Sequence, residues 1–286
     1  MATKRARALP RAVGRPLRRL QIRDQRLDRN TIINGEMEPA RGLRTMLAPP
    51  AHVKLDVDVD DDLALRLFKI RTAYTARQRT SANVLIERRY SWRGYDVPRL
   101  HQDGNLDRIT LVASDDDTTI GTLSIGFDGG NGLLVEELFP GEVQDLRDSG
   151  RSICEFTKLA MDSVLGSKRV LASLFHVAYI YAYRVKGFDC LLIEVNPRHV
   201  RYYEKILGFR VIGPKRTNRR VNAPAVLMAL DFSHTEEQIG KFGGQPGLSA
   251  TERSLYPFSF SVDEEAGIVG RLKGVADPTD QLGYRH

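Results

Sequence analysis

The chain has 286 residues, 42% of them hydrophobic, and a formal net charge of +7. That is enough apolar content for one sizeable core, and length alone allows one or two domains. No window approaches the roughly 18 uninterrupted apolar residues of a membrane span, and the N-terminus lacks the apolar stretch of a secretion signal, so a cytoplasmic protein is expected.

The charge is unevenly placed. Residues 1–50 carry 12 Lys and Arg against 4 acidic residues, and the remaining 236 residues net −1. With Pro10, Pro16, Pro39, Pro49 and Pro50 and no sustained apolar period, residues 1–55 read as a basic, largely disordered arm. Arg11, Arg15, Arg18 and Arg19 could touch an anionic membrane surface or nucleic acid; a solvated tail is the favoured reading, and no nucleic-acid partner is expected. Asp60, Asp61 and Asp62 then offer an acidic first turn, and Leu63, Leu67, Ile70 and Tyr74 recur at helical spacing, which predicts a helix over 61–79. The aspartates between Asp56 and Asp62 lack the central Gly and terminal Glu of a calcium loop, and no metal site is expected. Residues 80–106 read as irregular and aromatic. Leu106 to Ala113 and Thr119 to Phe127 are β-rich runs about the turn Ser114-Asp115-Asp116-Asp117, an antiparallel hairpin. Residues 136–149 are polar and turn-rich. Arg151 to Met161 reads as a central strand interrupted by Glu155 and Lys158, and Val170 to Val185 as a helix capped by Gly187. Leu191 to Val195 is a compact apolar run suited to a doubly covered strand, with Pro197 fit for a first helical turn and Gly208 for a left-handed cap. Pro224 to Phe232 supplies a last strand, and the tail after Ser233 holds a short helix near Glu264 to Leu272 and packs on the core. Cys154 and Cys190 lie in apolar runs and read as buried thiols.

The strand and helix from Leu191 to Phe209 resemble the last core unit of the GNAT N-acyltransferases, N-x-x-A-x-x-x-Y-x-K-x-G-F, through Asn196, Tyr203, Lys205, Gly208 and Phe209. His199 in place of the small residue, and one extra residue before Gly208, are similar to the N-P-R-H-x-x-x-Y-x-x-x-L-G-F version of the bacterial long-chain N-acyl amino acid synthases. The resemblance implies an α/β GNAT-like fold, a mixed central sheet flanked by helices, over residues 56–232, with 233–286 as a C-terminal extension. It also implies an acyltransferase of lipid biosynthesis that moves a long-chain fatty acyl group from a thioester to the α-amine of an amino acid.

Such a transfer needs a deprotonated amine, a donor that polarises the carbonyl, and a proton for the departing thiolate. No G-x-S-x-G elbow or activated Cys is present, so direct amine attack is the economical mechanism. Glu155, set in an apolar strand where desolvation raises a carboxyl pKa, is the candidate base; a structural pair with Lys158 is the alternative. Glu155 to Lys158 resembles the E-x-x-[RK] segment of these synthases and of the acyl-homoserine lactone synthases. On a regular strand the two side chains would point to opposite faces unless a bulge intervenes. Tyr203 is the candidate acid, with Tyr202 its competitor. Arg71 and Asp96 resemble acceptor-binding positions of the lactone synthases and would pair with the acceptor's carboxylate and ammonium. Trp92, Lys158, Asn196 and His199 complete the expected substrate contacts, His199 with a structural alternative. Gly121-Thr122-Leu123-Ser124 lacks the Arg of the lactone synthases' G-x-x-R-L.

The segment Asp162 to Arg169 holds one Gly where CoA-dependent relatives carry a glycine-rich pyrophosphate cradle. The expected donor is therefore a phosphopantetheine thioester on acyl carrier protein, with Lys168, Arg169 and Lys186 as a candidate basic rim and no other cofactor. An acyl-homoserine lactone synthase, a CoA-dependent GNAT acetyltransferase and a non-enzymatic binding protein on an inert scaffold are the alternatives.

Overall fold

A computed structural model of the chain describes residues 31–37, 67–91, 94–95, 107–163 and 166–276. Its frame is a mixed sheet of nine strands: β1 (Thr31–Glu36), β2 (Leu67–Thr72), β3 (Arg108–Asp115), β4 (Thr118–Phe127), β5 (Ile153–Met161), β6 (Cys190–Val195), β7 (Arg210–Val211), β8 (Arg216–Asn218) and β9 (Ala223–Asp231). The order across the sheet is β1-β2-β3-β4-β5-β6-β9-β7, with β8 also on β9. Every pairing is antiparallel except β5 with β6.

The helices are α1 (Ala76–Ser91), α2 (Pro140–Asp148), α3 (Lys168–Tyr179), α4 (Val200–Leu207), α5 (Phe232–Phe242) and α6 (Val262–Ala276). Side-chain alternation divides the sheet between two apolar layers. Leu191, Ile193, Met228 and Leu230 face α3, whose residues Val170 to Tyr179 are all buried. Cys190, Leu192, Leu227 and Ala229 face Phe139 and Val143 of α2 and its approach. The helix of α3 continues as a single π-helical turn, Ile180–Val185, and Gly187 follows at φ 79°, as its expected cap. Gly208 closes α4 at φ 83°, a conformation that a side chain would strain. Cys154 and Cys190 are free and buried, and burial pushes both thiols up, that of Cys190 to about 11. Among the described residues no helix is long and apolar enough to cross a membrane.

Several elements differ from the sequence reading. Of the helix expected over 61–79, residues 61–66 lie outside the described residues, 67–72 are β2, and α1 starts only at Ala76. Leu67, Ile70 and Tyr74 match helical spacing, yet Phe68, Ile70 and Thr72 are the buried set and Leu67 and Tyr74 are about half exposed, the period of a strand. The start of α1 was legible in Thr75-Ala76-Arg77-Gln78, a capping box: Gln78 N–H donates to Thr75 Oγ1 at 3.2 Å and Thr75 N–H to Gln78 Oε1 at 3.0 Å. Residues 80–91, expected to be irregular, are helix. Within the stretch read as a basic arm, Thr31–Glu36 forms an edge strand on β2, and Arg271 Nε of α6 donates to the Ile32 carbonyl at 2.6 Å. Residues 1–30 and 38–55 of that arm lie outside the described residues. The polar stretch 136–149 contains α2, entered at Pro140.

The C-terminal extension is part of the core: Leu255, Tyr256, Phe258, Ile268 and Leu272 are buried in the layer over α3. One polar contact fixes it. The Phe260 N–H donates to His176 Nδ1 at 2.9 Å, so His176 Nε2 carries the proton and donates to Glu265 Oε2 at 3.1 Å. Arg184 Nε donates to Glu265 Oε1 at 2.8 Å. Burial lowers the His176 pKa against the opposing pull of Glu265, while Glu265, which burial alone would raise, is held below its ordinary value by His176 and Arg184. Both folded-state values are depressed, so the unfolded chain binds protons first on acidification and stability falls with pH, starting below about 6.5. Glu265→Leu strips Arg184 and His176 of their shared carboxylate and is expected to cost about 3 kcal/mol, read as a lower urea midpoint at pH 7.

Candidate active site

The two parallel strands do not stay together. β5 pairs with β6 only at Ile153–Cys190, Cys154–Leu191 and Glu155–Leu192, although β5 runs on to Met161 and β6 to Val195. Beyond that point the strands part, and a cavity of about 210 Å³ opens between Phe156–Leu159 and Ile193–Asn196. Leu123 and Phe175 form its apolar back wall, Tyr90 and Tyr95 one rim, His199 and Tyr203 of the α4 segment another, and Asn218, Arg220 and Pro224 the β8–β9 side.

Glu155 sits at the apex of the wedge. It is fully buried, and its carboxylate accepts from Arg108 at 2.6 Å and from the backbone N–H groups of Leu134 and Val135, each at 3.0 Å. Gly126 on β4 makes room for this pair, since a Cβ there would come within 2.8 Å of Glu155 and 3.0 Å of Arg108. Glu155 is not among the residues that line the cavity. The carboxylate that does is Glu194 on β6, which the sequence reading passed over. Arg220 donates to it at 3.0 Å and Asn218 donates to its other oxygen. Burial, with help from Glu155, pushes Glu194 up to about 7 against the opposing pull of Arg220 and Asn218. Its signal in the sequence was a lone acid in the otherwise apolar run Leu191 to Val195, the same signal that singled out Glu155.

Lys158 lines the cavity because β5 bulges: the register with β4 shifts between Thr122 and Ser124, and Lys158 takes φ 53°. The bulge brings Lys158 into the same charged group as Glu155, which a regular strand would have prevented. Burial, then Arg108 and Arg220, pull its ammonium down to about 8, with Glu155 opposing. Asn196 lines the cavity and caps the turn that leads into α4, accepting from Arg198 N–H at 3.2 Å while its Nδ2 donates to the Tyr95 hydroxyl at 3.2 Å. His199 accepts from Arg198 Nε at 3.2 Å through its Nε2. Of the tyrosine pair, Tyr203 lines the cavity and stacks edge-on against Phe209, whereas Tyr202 does not line it and burial pushes its phenol up to about 12.

Arg71 is not at this cavity: it lies on β2, and its Nε donates to Thr31 Oγ1 at 3.0 Å. Trp92 and Asp96 lie outside the described residues. Lys168 and Lys186 are exposed and Arg169 half-buried, and none of the three lines the cavity. Ser167 caps α3 with its own side chain, accepting from Val170 N–H at 3.2 Å. Among the described residues no group of three or more His, Cys, Asp or Glu could hold a metal ion.

A mixed sheet whose parallel pair splays over an apolar wall, with ionisable groups at the mouth, is the framework of a GNAT acyltransferase. The model of the family described as N-acyl amino acid synthase FeeM matches residues 81–231, and the chain belongs to that family. The solved structure of FeeM, an N-acyl amino acid synthase from uncultured soil microbes, is 27% identical, with a TM-score of 0.51 over 58% of this chain and 92% of that one. The acyl-homoserine lactone synthase LasI is 13% identical, with a TM-score of 0.44 over 58% and 90%. An acyl-CoA N-acyltransferase from Pseudomonas aeruginosa is 13% identical, with a TM-score of 0.39 over 57% and 97%. No curated protein sequence matches the chain. The protein is an N-acyltransferase.

The three hydrogen bonds to Glu155 make it the pin of the wedge. Glu155→Gln places an amide N–H₂ against a donor and removes the charge facing Arg108, and is expected to cost about 2–3 kcal/mol of stability, measured by urea denaturation. A variant as stable as the parent would show that the pin carries little.

Proposed function

We propose that the protein transfers a long-chain fatty acyl group from an acyl carrier thioester to the α-amine of an amino acid. The observation that carries this reading is Glu194, a carboxylate near neutrality at the mouth of an apolar wedge, within a chain of the N-acyl amino acid synthase family. The acyl chain would lie against Leu123, Phe156 and Phe175, where each buried CH₂ contributes about 0.8 kcal/mol. Glu194 takes a proton from the acceptor's ammonium group. The amine nitrogen attacks the thioester carbonyl carbon, the C–S bond breaks, and the thiolate takes a proton from the Tyr203 phenol; the tyrosinate is reprotonated by the second proton, which the nitrogen sheds as the amide forms, and Glu194 returns the first to solvent. Glu155 acts here as a positioning residue behind the wall, and Glu194 replaces it as the base.

The carrier-bound donor is favoured by the single Gly in Asp162–Arg169 and by the first-turn amide of α3 that Ser167 already occupies, which leave a CoA pyrophosphate few backbone partners. Lipid extraction and mass spectrometry after expression in a bacterial host test the reading as a whole, because an N-acyl amino acid names both substrates at once. Side-by-side specificity constants for palmitoyl-carrier and palmitoyl-CoA test the donor; an equal or higher value for CoA would remove carrier preference from the proposal.

Glu194→Gln is expected to lower turnover ~10²- to 10⁴-fold. Because Glu194 works as its anion and titrates at about 7, wild-type kcat/KM should rise with pH through that value, and the variant should lose this limb. An unchanged pH profile in the variant would assign the base elsewhere. Tyr203→Phe is expected to lower kcat more than it raises KM, with Tyr202→Phe the control; loss in the control alone would exchange the roles of the pair.

A further inference from the structure

We propose that Lys158 selects an acceptor bearing a carboxylate, its ammonium group pairing with that carboxylate while the acceptor's amine faces Glu194. The proposal rests on the acyl-transfer reading and extends it to how the acceptor is chosen. In a regular strand alternate residues face one way, yet Phe156, Thr157, Lys158 and Leu159 all line the cavity. This happens because β5 is bulged and Lys158 occupies the left-handed region at φ 53°, a conformation unfavourable for any residue with a Cβ. The strain turns a cation, not an apolar residue, into a half-buried site.

Two guanidinium groups stand near Lys158, each in an ion pair. Arg108 is paired with Glu155 at 2.6 Å, and Arg220 with Glu194 at 3.0 Å and with the largely exposed Glu137 at 3.2 Å. Lys158 stands close enough to both arginines for their repulsion, added to burial, to weaken its hold on a proton. A carboxylate entering beside Lys158 gives its ammonium a charge-assisted hydrogen bond in a partly desolvated site, among the stronger single contacts a protein can make. Arg71, the residue the sequence offered for this task, is on β2 against Thr31 and away from the cavity.

Calorimetry on the full chain with N-dodecanoylglycine and N-dodecanoylethylamine reads the carboxylate without turnover. The wild type should bind the acid more tightly, Lys158→Met should lower that preference ~10- to 100-fold, and Lys158→Arg should keep most of it. Lys158→Gly relieves the left-handed backbone, so the same loss in this variant separates recognition from misfolding. An unchanged preference in the Met and Gly variants, or equal weakening for both ligands, would overturn the proposal. Failure of the acyl-transfer reading itself appears separately, as the absence of any N-acyl amino acid formed by the wild type from a thioester.

Discussion

The site depends on where two parallel strands stop pairing. β5 and β6 share three residue pairs and then part at Glu155 and Leu192. Backbone groups released from a ladder have to find partners elsewhere, so such a parting needs a stable origin. Glu155 supplies it: a buried carboxylate with one guanidinium and two amide donors holds β5, the Arg108 end of β3 and the Leu134–Val135 segment to one point. The wedge beyond that pin holds the cavity, with Leu123, Phe156 and Phe175 among its apolar lining.

Desolvation then decides what the charged groups in the wedge can do. Glu194 and Lys158 move in opposite directions from their ordinary values, the carboxyl up and the ammonium down, because burial disfavours each charged form and the like charges nearby add to it. Two groups brought toward the neutral range in this way can exchange protons or bind an ion near pH 7, which the same side chains on an open surface could not do as well. Glu155, only a few residues away on the same strand as Lys158, accepts three hydrogen bonds from fixed donors and does not line the cavity.

The region outside the family-matched residues is structurally continuous with the core. α6 reaches back to two distant parts of the chain: Glu265 joins His176 and Arg184, and Arg271 holds the β1 carbonyl of Ile32. These contacts keep α3 pressed against the sheet on the face that supplies Phe175 to the cavity. The distant extension therefore packs against the helix that supplies Phe175, although it places no residue in the lining of the cavity.

Local patterns carried much of this protein's organisation. The hairpin of β3 and β4, the apolar strand at Leu191–Val195, and the caps at Gly187 and Gly208 were legible because each rests on short-range geometry: alternation, turn chemistry and left-handed backbone. The motif from Asn196 to Phe209 likewise pointed to the family and placed Tyr203, Asn196 and His199 together, since the turn that Asn196 caps and that ends at His199 runs directly into α4. The 67–72 strand was misread because Leu67, Ile70 and Tyr74 fit a helical period while the buried partners that favour a strand come from β1 and β3. What only the tertiary structure decided was which of two similar acids lines the cavity. Glu155 and Glu194 are each a single carboxylate in an apolar strand, and no local feature separates them. The difference comes from Arg108 and the Leu134–Val135 amides filling one site, and from strand separation opening the other to the cavity.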